Sequence, residues 1–184
     1  MAIWYWNGED PREEIERRLE AACIHFGVDP ASIEGRLFID SGRETEIIVA
    51  RQTKAGAVIA SPIEAALTDA LKSGEFDVLT VDPFVAAHRV SENDNMAIDA
   101  VAKTFGRIAG VTNCAVETVH HVRKTGGAEI TTEDSRGASA LVAAARPVRV
   151  LNDAAASRRT STASGGLIER ATTNTPFADR VRRA

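Results

Sequence analysis

The sequence predicts an α/β fold in which a parallel sheet is covered by helices on both faces. Short, fully apolar runs alternate with helix-like periods along most of the chain, a pattern typical of buried parallel strands. The 184 residues correspond to about one domain, and a composition of 44% hydrophobic and 26% charged residues can bury a core. This composition excludes a disordered or fibrous chain.

The predicted elements follow one another in a regular order. Strands are predicted at 3–7, 76–83, 114–120 and 148–151, and helices at 11–26, 61–74, about 93–110 and 135–146. Pro11 favours the start of the first helix and Gly27 favours its end. The apolar runs at 37–39 and 47–49 are consistent with strands or with an excursion between the main sheet elements.

The segment from residue 152 onward differs from the preceding chain. It carries six basic and three acidic side chains, whereas residues 1–151 carry 16 and 23. It is rich in Ala, Arg, Ser and Thr and has no sustained helix or strand period. We therefore expect a domain at 1–151 followed by a disordered basic tail at 152–184. The acidic balance of the domain argues against a uniform nucleic-acid-binding surface.

Neither a membrane nor an oxidising compartment is indicated. No apolar run approaches the roughly 20 residues of a membrane span, and the N-terminus lacks the basic-then-apolar order of a signal peptide. Cys23 and Cys114 are too isolated to indicate a disulfide framework or a zinc site. We expect a cytoplasmic protein with no membrane partner.

Polar residues follow the predicted strands, at the edge where open parallel sheets bind ligands. Glu9 follows the first strand, Asp82 follows an apolar strand, and His120 and His121 close the next. An acid in the position of Asp82 can hold Mg²⁺ beside nucleotide phosphates, and one in the position of Glu9 can deprotonate an attacking water. Successive strand side chains face opposite ways, so at most one of the histidines faces a given site. Each residue also has a purely structural alternative. Asp82 could accept hydrogen bonds at the end of its strand, Glu9 could complement the dipole of the following helix, and the histidine could be a structural residue.

Two pairs of basic residues also lie beyond the last of these strands. Arg136 and Arg146 are ten residues apart and fall on roughly the same side of the predicted helix. Arg123 and Lys124 belong to a basic loop. Surface salt bridges and a solvated turn are the respective alternatives.

Five blocks of the sequence resemble RepA-like ATPases, which belong to the AAA-family and RecA-type P-loop proteins. In order, the blocks are WYWNGEDP (4–11), VDPF (81–84), SENDN (91–95), VHHVRK (119–124) and SRGASAL (135–141). The resemblance covers about residues 2–151. It implies a RecA-like fold and activity as a DNA helicase or regulatory ATPase. It also implies ATP and Mg²⁺ as ligands of the intact family, which we expect the isolated chain to bind weakly or not at all. It also implies a homo-oligomer, a hexamer in the family, with single-stranded DNA as a possible partner of the Arg123–Lys124 loop.

The resemblance assigns roles to individual residues. Glu9 resembles the glutamate that activates water, and Asp82 resembles the Walker B aspartate that holds Mg²⁺. His121 resembles the residue that senses the γ-phosphate, and Arg146 resembles an arginine finger that reaches a neighbouring subunit's nucleotide. Two further residues are expected near the nucleotide: His120 and Arg136.

The phosphate-binding loop of that family has no counterpart in the sequence. The loop requires G-x-x-x-x-G-K-[ST], yet none of the 13 glycines is followed by lysine. The chain resembles the family from its second strand onward, so we expect an incomplete RecA-like sheet without the first strand and P-loop helix. We expect a truncated gene product that is inactive alone. The Ala, Arg, Ser, Thr and Gly bias of its tail is also typical of a shifted reading frame of a GC-rich gene. The alternative is a non-enzymatic interaction module that docks into RecA-like oligomers. A self-contained metal-dependent hydrolase is a weaker third interpretation, because no local metal-binding motif supports it.

Overall fold

The computed structural model describes residues 1–122, 129–135, 137 and 139–152. Its strands are β1 (Ile3–Asn7), β2 (Leu37–Ser41), β3 (Ala50–Thr53), β4 (Gly56–Ile59), β5 (Val78–Asp82), β6 (His88–Arg89) and β7 (Ala115–Thr118). Its helices are α1 (Arg12–Phe26), α2 (Ser61–Gly74), α3 (Asn95–Thr112) and α4 (Ala140–Ala144). The larger sheet has the order β2-β1-β5-β7, and the smaller sheet has the order β4-β3-β6.

β1 lies inside the larger sheet, in which all neighbouring strands are parallel. Its last residue, Asn7, is paired with Ser41 of β2 on one side and with Asp82 of β5 on the other. Because side chains alternate along a strand, Tyr5 and Asn7 share one face of the sheet and Trp4 lies on the opposite face. The carboxyl ends of three strands therefore meet in one row.

Helices cover both faces of the larger sheet. On the face that Tyr5 shares, Ile15 of α1 packs with Leu37 and Ile39 of β2. On the face of Trp4, the main core extends to residues of α2 and α3, among them Leu71. This mostly parallel sheet with helices on both faces confirms the predicted α/β class and is consistent with a RecA-like fold.

The chain between β2 and α2 forms most of the smaller sheet. β3 pairs with β4 in the antiparallel direction and with β6 in the parallel direction. The apolar run at 47–49 is buried but precedes β3 without being a strand itself, whereas the run at 37–39 lies in β2. The run at 37–39 is therefore a strand of the larger sheet, whereas the run at 47–49 belongs to an excursion that leads from the larger sheet into the smaller one.

The first three helices have bounds within two residues of those predicted. Gly27 ends α1 in the left-handed conformation, with φ 63°, as expected of a glycine at that position. Asp94 caps α3, because its Oδ1 accepts hydrogen bonds from the N–H groups of Met96 and Ala97 at 3.0 and 3.1 Å.

The helix predicted for 135–146 is shorter in the structure and is confined to α4. Gly137 has φ 81°, which a right-handed helix cannot accommodate, so a regular helix begins only after it. Arg146 consequently follows α4 instead of lying on it. Arg136, the other arginine of the predicted pair, lies outside the described residues.

The predicted strand at 148–151 is also absent. These residues are irregular, and Arg149 within them forms an ion pair with Glu117 of β7, with an N–O distance of 3.0 Å. β7 is shorter than the predicted 114–120 and ends at Thr118. Apart from Asn152, the expected disordered tail lies outside the described residues. In the part of the chain that is described, no helix is long and apolar enough to span a bilayer.

Candidate functional site

The candidate site is the row where β1, β2 and β5 end. The hydrogen-bond ladder continues past the strand ends, because Gly8 N–H donates to the Asp82 carbonyl and Gly42 N–H donates to the Asn7 carbonyl, both at 2.7 Å. The segment after β1 is therefore attached on both sides to its neighbours. Glu9 follows at once in this segment, so the structure brings the Glu9 loop and Asp82 together on adjacent strands.

Glycines allow the loops of this row to approach closely. A Cβ on Gly8 would collide with the Cβ of Ala86, in the turn after β5, and with the ring of Trp6. A Cβ on Gly42 would lie 2.7 Å from the Cα of Gly8. The Gly42 segment thus approaches the Gly8 backbone closely, and the Ala86 side chain packs against Gly8, which leaves the Glu9 segment little room to move.

Asp82 has one carboxylate oxygen engaged and one open. Its Oδ2 accepts a hydrogen bond from the Tyr5 hydroxyl at 2.5 Å, and its Oδ1 accepts none from the described residues. Burial raises the pKa of Tyr5; the hydrogen bond from Asn7 lowers it, and the Asp82 carboxylate raises it again, so the net shift is upward. Tyr5 therefore stays protonated and remains a donor to Asp82.

The backbone of the Glu9 loop is held by side chains, whereas the Glu9 carboxylate is exposed. The Oδ1 of Asn7 accepts the N–H groups of Glu9 at 3.0 Å and of Asp10 at 2.8 Å. Arg43 Nε donates to the Glu9 carbonyl at 2.9 Å, and Ser41 Oγ donates to the Asp10 carbonyl at 2.6 Å. A fixed backbone with an exposed carboxylate is a suitable arrangement for a group that acts on an external ligand.

The two histidines emerge beside Asp82. Val119 N–H donates to the Val81 carbonyl at 2.9 Å, and Phe84 N–H donates to the Val119 carbonyl at 2.7 Å. His120 is half-buried with its ring edge-on to Phe84 at a centroid distance of 6.1 Å, and His121 is exposed. Of the pair, His121 is the one whose side chain is open to a ligand.

A further histidine, His88, is buried and also packs edge-on against the Phe84 ring, at a centroid distance of 5.0 Å. Its Nδ1 accepts the N–H of Val90 at 3.4 Å, and its Nε2 has no hydrogen-bond partner among the described residues. Burial lowers the pKa of His88 despite the opposing effect of Glu92. His88 is thus neutral at pH 7 and adds no positive charge to the site.

The predicted basic residues are only partly placed. Arg146 is described and exposed, three residues before the Arg149 that is bridged to β7. The Arg123–Lys124 loop lies outside the described residues, as Arg136 does. The proposed role of each of these residues stays a prediction.

A protein-family model described as an AAA domain matches residues 1–127, which is more than two thirds of the chain. The chain belongs to this AAA domain family. The family is P-loop ATPase-like and generally uses a nucleotide and Mg²⁺. Among curated proteins, a search found no match.

The donor set of this AAA domain fits magnesium held jointly with phosphates. Mg²⁺ prefers oxygen ligands and is usually bound by one or two carboxylates together with substrate phosphates. At the sheet edge Asp82 offers one carboxylate oxygen, Oδ1, that accepts no hydrogen bond from the part of the chain that the structure describes. Within the described ranges, no three His, Cys, Asp or Glu residues form a group that could hold a metal ion.

Sequence reasoning missed Tyr5 and Asn7, two residues of the AAA domain that contact the site most directly. The period of two along β1 places both on one face, and this signal was available. The sequence did not show that Asn7 lies opposite Asp82, because that register depends on which strands pair in the folded sheet.

Proposed function

We propose that this AAA domain is part of a RepA-like ATP-dependent DNA motor or regulatory ATPase. The observation that carries the proposal is the joining of Asp82 and the Glu9 loop at the carboxyl ends of adjacent parallel strands. Nucleotide sites of open α/β sheets lie at this edge. The five sequence blocks that resemble RepA-like ATPases are the reason for proposing this particular kind of ATPase within the AAA domain family.

Each candidate residue has a distinct task in this proposal. Asp82 holds Mg²⁺ through its open Oδ1, and Glu9 accepts a proton from the attacking water. His121 contacts the γ-phosphate, while Arg146 reaches the nucleotide of a neighbouring subunit in a homo-oligomer. Magnesium, when bound, neutralises charge on the phosphates. His120 and Arg136 are the remaining residues assigned to the nucleotide's surroundings.

The phosphates themselves need a cradle from outside these 184 residues, because no Gly-Lys pair occurs in them. The 184-residue chain alone should therefore hydrolyse ATP no faster than background. A phosphate-release assay with Mg²⁺ measures this. Turnover that disappears in Glu9→Gln would contradict the need for an added loop.

The proposal is tested by supplying the strand and P-loop helix of a RepA-like relative as a fusion. We expect ATPase activity to appear and to fall about 10²- to 10⁴-fold in Glu9→Gln, the range typical of a positioned general base. Asp82→Asn should abolish the Mg²⁺-dependent activity. Glu13→Gln, a change of an exposed acid on α1, is the matched control and should have no effect. Full activity in Glu9→Gln and Asp82→Asn fusions would refute the assignment.

Mixed oligomers of the fusion test Arg146. Arg146→Ala subunits should be inactive alone but regain activity with Glu9→Gln subunits, because an interface in which the Arg146→Ala subunit supplies the site and the Glu9→Gln subunit supplies the finger has both elements intact. Failure of rescue at every mixing ratio would leave Arg146 with a structural role. Single-stranded DNA is the proposed ligand of the Arg123–Lys124 loop, and its stimulation of the ATPase activity can be measured in the same assay.

The absence of a Gly-Lys pair also favours a second candidate function, a non-enzymatic module that docks into RecA-like oligomers. In that case the chain would contribute Arg146 to an intact relative without hydrolysing ATP. Activation of such a relative by the unfused chain, lost in Arg146→Ala, would favour this function over the first.

A further inference from the structure

Tyr5 and Asn7 form a continuous hydrogen-bonded path from Asp82 to the Glu9 loop. The Tyr5 hydroxyl donates to Asp82 Oδ2 at 2.5 Å, and Asn7 Nδ2 donates to the Tyr5 hydroxyl at 3.1 Å. Asn7 Oδ1 in turn accepts the N–H groups of Glu9 and Asp10. Three side chains on two adjacent strands are thus connected without a gap to the backbone of the Glu9 loop.

The direction of every hydrogen bond in this path is fixed by the chemistry of its members. The backbone N–H groups of the Glu9 loop can only donate, so they require the oxygen of the Asn7 amide to face them. The Asn7 nitrogen then faces Tyr5 as a donor. An ionised Asp82 carboxylate only accepts, so the Tyr5 hydrogen must point to Asp82.

The path is also held rigidly by the fold. The register pairs Tyr5 with Thr80 and Asn7 with Asp82, so all four side chains lie on the same face of the sheet. The Tyr5 ring packs against a buried cluster that includes Ile15 and Ile39. Asn7 is only 5% exposed. Neither side chain can leave its place without disturbing packing.

From this geometry we infer that Tyr5 is a positioning residue, which orients Asp82 so that Oδ1 faces the metal, with Asn7 fixing both the hydroxyl and the Glu9 loop. The inference rests on the proposed function, in which Asp82 holds Mg²⁺. The path makes the positions of the two candidate acids depend on each other. Groups that hydrogen-bond to metal ligands and so orient them typically change metal affinity or activity about 10–100-fold when removed.

A single-site NMR label follows the Tyr5 hydrogen bond. Tyr5 is the only tyrosine of the 184 residues, so tyrosine labelled with ¹³C at Cζ gives one resonance. Because donation to a carboxylate makes the ring more phenolate-like, Asp82→Asn should move this resonance upfield. Thr80→Val, which removes a hydroxyl from the position opposite Tyr5, should leave it unchanged. No upfield movement in Asp82→Asn would overturn the inference.

Binding of Mn²⁺ to the P-loop fusion, saturated with a non-hydrolysable ATP analogue, tests the positioning role, because the metal is held jointly with phosphates. Free Mn²⁺ is counted by its EPR signal, and Mg²⁺ is the competitor. Wild type should bind Mn²⁺ in a way that Mg²⁺ reverses; Tyr5→Phe, which keeps the ring, should weaken this binding about 10–100-fold, and Thr80→Val should not. Thermal unfolding of each variant establishes that it is folded.

The outcomes separate the inference from the proposed function. Unchanged affinity in Tyr5→Phe together with lost binding in Asp82→Asn would overturn the positioning role and leave the metal role of Asp82 intact. If wild type does not bind Mn²⁺, or if Asp82→Asn binds it as tightly as wild type does, the metal role of Asp82 is contradicted, and the inference with it. Asn7→Ala should weaken binding through Tyr5, so adding it to Tyr5→Phe should cause no further loss. Additive losses would overturn the path through Asn7.

Discussion

Replacement of Arg12 by methionine should expose how strongly the start of α1 depends on a buried ion pair. Arg12 Nη2 lies 2.8 Å from Asp40 Oδ1, and its Nη1 donates to the Ile39 carbonyl at 2.9 Å. Asp40 is only 2% exposed, and its Oδ2 accepts the indole N–H of Trp4 at 3.0 Å. Methionine keeps most of the aliphatic stem and leaves the Asp40 carboxylate buried without its cation.

The expected loss is about 3–5 kcal/mol of unfolding free energy at pH 8, the range for removing one partner of a buried pair. Burial raises the pKa of Asp40, and Arg12 is the main influence that lowers it. Because the folded-state pKa of Asp40 lies above its usual 3.8, its contribution to stability is fully present below that value and is lost as pH rises through the folded-state pKa. Without Arg12 the pKa rises further, so the penalty extends over a wider range of higher pH and shrinks toward pH 4.

Urea unfolding at pH 8 and pH 5 measures both effects. Arg17→Met, a change of an exposed arginine on the same helix, is the control and should leave the midpoint unchanged. In an Asp40→Asn background, Arg12→Met should cost much less, because no buried charge is then left unpaired. A loss at pH 8 that equals the loss at pH 5, or a loss equal in both backgrounds, would refute this reasoning.

Four further predictions can each be tested by a direct measurement. Gly8→Ala should destabilise the protein by about 1–3 kcal/mol in urea unfolding, because its Cβ collides with Ala86. Asp94→Ala should cost about 1 kcal/mol by the same assay through loss of the α3 cap. Because burial lowers the pKa of His88, its contribution is present above pH 6.5 and is lost as pH falls through the folded-state pKa; melting of wild type and His88→Gln across pH 5 to 8 should show this difference. Both cysteines are buried, so a thiol reagent should label them much more slowly in native protein than in urea.

The sequence was most informative where periodicity and end signals agree. α1 combines an apolar stripe with the left-handed Gly27 at its C-terminus, and α3 combines one with the Asp94 cap at its N-terminus; the bounds of both were predicted to within two residues. β1 and β5 are apolar runs ended by a polar residue, which also placed Asp82 at the sheet edge. Local chemistry determines these elements, so the sequence alone could show them.

The sequence was less informative where tertiary contacts decide. A helix was predicted through 135–146, yet Gly137 has a left-handed conformation that interrupts it, and a Cβ at this position would lie 2.6 Å from the Glu92 carbonyl oxygen. The apolar run at 47–49 has the composition of a strand but is buried as a connection into β3. The hydrogen bond from Tyr5 to Asp82 joins residues 77 positions apart, and no local pattern encodes it.

The same contacts that stabilise the fold also limit the movement of the candidate site. Arg12 lies three residues after Glu9 and attaches the first turn of α1 to β2 through Asp40. Before Glu9, the Gly8 N–H donates to the Asp82 carbonyl of β5, and the Asn7 carbonyl accepts the N–H of Gly42, which follows β2. The Glu9 loop is therefore held at both of its ends and along its backbone, and only its carboxylate is exposed. A group that must meet an external ligand without reorganisation benefits from this arrangement, because the cost of ordering the loop is met during folding and not at each binding event. The same residues consequently stabilise the fold and position the site. Variants of Arg12 should therefore be tested in the fusion for loss of the activity that depends on Glu9, as well as for loss of stability.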